Sequence, residues 1–76
     1  MTPKSNLPRD TFVDVVLPVF NEQSQLRPSV EYLISFLTRN VKQQWQIIIA
    51  NNGSTDNTAQ VAKSLTIQHQ NVHLIN

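Results

Sequence analysis

Two short runs of β-branched residues constrain this chain more than any other feature: Phe12-Val13-Asp14-Val15-Val16-Leu17-Pro18-Val19 and Trp45-Gln46-Ile47-Ile48-Ile49-Ala50. Both are apolar on both sides of a pleat. Val13, Val15 and Leu17 alternate with Val16, and Ile47 and Ile49 alternate with Ile48. Strands of this kind belong to parallel sheets covered on both faces. The first run is expected to stop near Pro18.

From Ser24 to about Asn40 the period changes. Leu26, Val30, Leu33, Ile34, Leu37 and Val41 recur at spacings of three and four, which predicts a helix with one apolar stripe. Pro28 is tolerable early in it, because the first backbone N–H groups of a helix have no partner. Asn51-Asn52-Gly53-Ser54-Thr55-Asp56 then makes a strand-to-helix loop. Ser54 or Thr55 is expected to cap the next helix, and Asp56 to favour its positive end. That helix carries Ala59, Val61, Ala62 and Leu65, and Val72-His73-Leu74-Ile75 forms a third strand.

Strand, helix, strand, helix, strand implies an α/β fold with a parallel sheet and right-handed crossovers. If each crossover advances the sheet in the same direction, both helices cover one face. The other face then has no partner within these residues, so the chain reads as part of a larger domain. At 76 residues, folding buries only about 60% of the chain's surface. There is no cysteine to add a disulfide. Residues 1–11, with Pro3 and Pro8, are expected to be a flexible leader to an ordered segment at 12–76.

Six basic and five acidic side chains leave a net charge of +1 without a dense run, a poor footprint for a nucleic-acid binder. Neither a secretory signal nor a bilayer-length apolar stretch is evident, and the absence of cysteine is compatible with the cytosol. A cytoplasmic location is therefore expected.

Ligands of open α/β sheets sit beyond the carboxyl ends of the strands. Two loops occupy that edge: Pro18-Val19-Phe20-Asn21-Glu22 and Asn51-Asn52-Gly53-Ser54. Pro18 shapes a turn or merely ends a strand. Phe20 is a platform for a base or a core ring. Asn21 meets a ligand or caps the first helix. Glu22 accepts from ribose hydroxyls or complements a helix dipole. An asparagine amide in the second loop both donates to a carbonyl and accepts from an imide N–H, matching the edge of uracil. Gly53 is the only glycine, which suggests a positive φ or close approach to a ligand. Asn52-Gly53 is equally a common turn pair. Asn52-Gly53-Ser54 also fits the glycosylation pattern, against which a loop at a sheet edge argues. No G-x-G-x-x-G or Walker loop is present, which disfavours dinucleotide binding and P-loop chemistry.

Val13 to Glu22, followed about thirty residues on by Ile47 to Thr58, resembles the start of the inverting GT-A glycosyltransferases of the large family 2 type. A finer likeness is to polyprenyl-phosphate (dolichyl-phosphate-type) sugar transferases, on Leu26-Arg27-Pro28-Ser29-Val30 with Leu33 and on Ile49 to Ser54. The resemblance implies a three-layer Rossmann-like (GT-A) fold, here its N-terminal β-α-β-α-β portion. It implies transfer of a sugar from a nucleotide-diphosphate sugar, UDP favoured, to an acceptor such as a polyprenyl phosphate. Pro18, Val19, Phe20, Asn21, Glu22, Asn51, Asn52, Gly53 and Ser54 would then bind the nucleotide sugar. Asn51 and Asn52 stand where the family commonly has two aspartates, and Phe20 replaces a commoner tyrosine.

A divalent cation, Mg or Mn, is expected for the full-length enzyme. The family's metal-binding Asp-x-Asp motif, general base and acceptor site have no counterpart in this chain, so it is expected to bind no metal and to be inactive alone. The full-length protein is expected to be membrane-associated on the cytoplasmic face. Two further readings stand beside this one: a stand-alone nucleotide-binding module that self-associates through its uncovered sheet face, and a non-functional truncated remnant.

Overall fold

The computed structural model describes residues 11–76. The leader expected at residues 1–11 lies, but for Thr11, outside them. Five elements follow one another: β1 (Phe12–Val19), α1 (Leu26–Asn40), β2 (Gln44–Asn51), α2 (Thr58–Gln68) and β3 (Val72–Ile75). The strands form one parallel sheet in the order β1-β2-β3, with Val15 beside Ile47 and Ile49 beside Leu74. The α/β architecture read from the sequence is the one observed.

β1 runs through Pro18 rather than stopping there. The carbonyl of Val19 accepts the N–H of Asn52 at 2.9 Å, so the odd-numbered residues of β1 direct their backbone groups at β2. Pro18 directs its nitrogen at the free outer edge, where a missing N–H breaks no ladder bond. α1 begins two residues later than the spacing suggests. Its first turn is anchored by the Glu22 carbonyl, which accepts from the N–H groups of Gln25 and Leu26 at 3.1 and 2.9 Å.

Both helices lie on the same face of the sheet. Val19, Ile47, Ile49 and Val72 from the strands pack with Leu26, Val30 and Leu37 of α1 and Ala62 and Leu65 of α2 in one core. The guanidinium of Arg27 in α1 joins the helices by donating to Ser64 and Gln68 of α2. The opposite face is open: Phe12, Val16 and Ile75 are each more than half exposed there. A hydrogen bond from Gln46 to Asp14, at 2.7 Å, and the exposed Gln44 beside Phe12 are polar features of that face between β1 and β2. The described residues therefore form two layers of an α/β sandwich.

Candidate functional site

Parallel pairing of β1 with β2 ends at Val19 beside Asn51, so the two following loops leave the sheet edge side by side. Hydrogen bonds then stitch one loop to the other. Asn21 sits in the left-handed region at φ 50°, which asparagine tolerates better than most residues. Its N–H donates to Ser54 Oγ at 2.9 Å, and its Oδ1 accepts from the N–H groups of Thr55 and Asp56 at 2.8 and 3.4 Å. The Glu22 N–H donates to Thr58 Oγ1 at 2.8 Å, and Gln23 Oε1 accepts from the Asn57 N–H at 2.8 Å. Asn21 thus braces the second loop and does not cap α1.

The cap expected from Ser54 or Thr55 is not made either. α2 starts at Thr58, whose N–H donates to Asp56 Oδ1 at 2.9 Å. Asp56 reaches the N–H two residues ahead, a turn that a short carboxylate side chain favours. The Thr58 hydroxyl, fully buried, donates to the same Oδ1 while accepting from Glu22. That hydroxyl contact chiefly holds the Asp56 carboxyl below its usual range. Partial burial opposes the shift, and the N–H groups of Thr58 and Gln23 reinforce it. Neither Thr58 nor Gln23 is among the residues expected at this edge. The spacing Asp56-x-Thr58 was the available clue to the first, whereas Gln23 carries none.

The expected site residues divide by environment. Phe20, Glu22, Asn52 and Gly53 are exposed, Phe20 at 57%, which removes the core reading of its ring. Pro18 is exposed on the open face of β1. Val19 has its side chain in the core. Asn51, at 8% exposure, is spent inside the loop: its Oδ1 accepts from the hydroxyl and N–H of Ser54 at 2.6 and 3.3 Å, and its Nδ2 donates to Asn76 Oδ1 at 3.1 Å. Gly53 adopts φ 73°, the positive value suggested by its being the lone glycine, and a side chain there would meet nothing within 4 Å. Asn21, Asn51 and Ser54 are therefore a frame, and Phe20, Glu22, Asn52 and Gly53 are what it presents to solvent.

Two carboxylates belong to this edge, Glu22 and Asp56, and Asp56 is already committed to Thr58 and Gln23. Among the described residues no group of three or more His, Cys, Asp or Glu side chains could hold a metal ion. The described residues of this edge do not fit the cation that the family resemblance implies. A shallow concavity lined by Phe12, Gln44, Trp45 and Asn71 lies at the opposite end of the strands and shares no residue with these loops.

Sheet order, one-sided helices and paired loops at the strand ends define the opening portion of a Rossmann-like domain of the GT-A kind. The Glycosyl transferase family 2 profile matches residues 14–76, and the chain belongs to that family. It is 29% identical over 73 residues to the dolichyl-phosphate beta-glucosyltransferase ALG5C of Trichomonas vaginalis, covering 91% of this chain and 22% of that protein. It is 39% identical over 51 residues to the dolichyl-phosphate beta-glucosyltransferase of Saccharomyces cerevisiae, covering 67% of this chain and 15% of that one. With glycosyltransferase AglE of Haloferax volcanii it shares 27% identity over 64 residues, or 84% and 20% of the two chains. The chain thus spans about a fifth of the length of these relatives. No solved structure matches it significantly. Among the described residues no helix is long and apolar enough to cross a membrane.

Proposed function

We propose that this chain is the nucleotide-binding half of a glycosyltransferase that moves a sugar from a UDP-linked donor to a polyprenyl phosphate. The observation that carries the reading is the exposed set Phe20, Glu22, Asn52 and Gly53 at the carboxyl ends of β1 and β2, presented by an internally bonded frame. The printed names of the relatives support a dolichyl-phosphate-type acceptor. In this reading the Phe20 ring stacks on the base, and Glu22 accepts from the ribose hydroxyls. Asn52, not its buried neighbour Asn51, pairs with the uracil edge. Its amide donates to a carbonyl and accepts from the adjacent imide N–H.

The acceptor attacks the anomeric carbon, and the nucleoside diphosphate leaves with the bonding electrons. In the full-length enzyme a divalent cation, Mg or Mn, would supply neutralisation of the diphosphate charge. Its ligands, like the general base, are assigned to residues outside this sequence. These 76 residues alone are accordingly assigned no turnover. We place the protein on the cytoplasmic face of a membrane and assign no nucleic-acid partner. The apolar open face of the sheet supports self-association of the isolated chain.

Titration of UDP, with GDP as control, into the isotope-labelled chain tests the reading through its backbone amide spectrum. Shifts with UDP confined to Phe20 to Glu22 and Asn52 to Ser54 are expected. A well-dispersed spectrum that ignores both nucleotides overturns it. Replacing Asn52 with Ala is expected to weaken UDP about fivefold to tenfold, the loss of one or two hydrogen bonds of modest net worth.

A further inference from the structure

We propose that Asn52 is a site of spontaneous deamidation in the folded chain, at which the loop exchanges an amide for a carboxylate. Succinimide formation needs an unrestrained asparagine side chain, a following backbone nitrogen free to attack it, and room for a five-membered ring. All three meet at Asn52-Gly53. The Asn52 side chain is exposed and, among the described residues, has no hydrogen-bond partner. The Gly53 N–H likewise donates to none of them. Gly53 carries no Cβ to crowd the ring, its surroundings are open to 4 Å, and a glycine re-adjusts its dihedrals freely.

Of the other described asparagines, Asn21, Asn40, Asn51, Asn57 and Asn71 lack one requirement or more. Asn51 is buried with both ends of its amide bonded. Asn21 has its Oδ1 held by the second loop, and Asn40 donates to the Phe36 carbonyl from within α1. Asn57 and Asn71 precede the β-branched Thr58 and Val72, which hinder attack.

The Gly53 nitrogen, losing its proton to solvent base, attacks Cγ of Asn52. The C–N bond of the amide breaks and ammonia leaves. Water then opens the ring at either carbonyl, giving aspartate or isoaspartate with no change of oxidation state. The product carries a negative charge where the family commonly has an aspartate. On the function proposed above, the loop also loses its donor to the uracil carbonyl and gains a charge near a diphosphate, so UDP affinity falls.

The test is to incubate the purified chain in mildly alkaline and mildly acidic buffer, and in parallel in urea, then map each asparagine by peptide mass spectrometry. Heavy-oxygen water marks the newly formed acid, and isoaspartate-specific methylation marks the rearranged product. The expected result is conversion confined, among the described asparagines, to Asn52 in native buffer, faster in alkali, and spread to further asparagines in urea. Asn52 remaining intact in native buffer overturns the proposal, as does conversion there as widespread as in urea. The readout needs no nucleotide. A chain that converts at Asn52 yet ignores UDP defeats the proposed function and leaves this site standing.

Discussion

At the residue scale the candidate site depends on a few polar side chains that a ligand need not touch. Asn21 combines a left-handed backbone with an acceptor for two N–H groups of the neighbouring loop. Asn21→Gly keeps the backbone conformation and loses the bonds, at a cost of about 1 kcal/mol. Asn21→Ala adds the strain of positive φ and is expected to cost about 2 kcal/mol, read from urea midpoints.

Asp56 gives a pH dependence. Its folded carboxyl titrates below the ordinary aspartate value of about 3.9, so its contribution is present above that pH. The contribution is lost as pH falls through the lower folded value. A carboxyl-carbon NMR titration should place the midpoint below the ordinary value, and Thr58→Val should return it upward. Of these roles only the motif Asn51 to Asp56 was legible in the sequence. A left-handed φ at Asn21 and the bracing by Gln23 depend on a neighbour more than thirty residues away, and local pattern carries no record of it.

Element boundaries followed from period and composition almost as expected, since burial on one face sets both the helical stripe and the β-branched runs. Exceptions arose where tertiary position decided. Pro18 reads as a stop because a proline lacks an N–H, yet β1 is an edge strand and its residue 18 faces outward. α2 starts at Thr58, because the residues expected to cap it are drawn into the other loop or into Asn51. The two helices are held on the sheet by a small core. Leu65→Ala, at a fully buried position of α2, is expected to cost 2–5 kcal/mol, enough to unfold a domain this small in a thermal melt. Arg27→Ala, which releases α1 from Ser64 and Gln68 at a partly exposed position, is expected to cost about 1 kcal/mol.

For the whole molecule, the open sheet face dominates behaviour. Apolar character on both sides of β1 and β2 announced it, and the structure leaves Phe12, Val16 and Ile75 exposed on that face. The isolated chain is expected to sediment with a weight-average mass that rises with concentration, and Val16→Lys is expected to suppress the rise. What the sequence did not disclose is how the two loops at the strand ends are assembled. Every bond between them joins residues 33 to 36 positions apart, from Asn21 with Ser54 to Glu22 with Thr58. The consequence shows during synthesis. When the first strand and helix have left the ribosome, the loop at Phe20 to Glu22 has nothing to lean on, and it acquires its shape only as residues 54 to 58 follow. A nascent chain stalled before Ser54 therefore has a sheet pair and a helix but no organised rim, and the rim is assembled as residues 54 to 58 emerge.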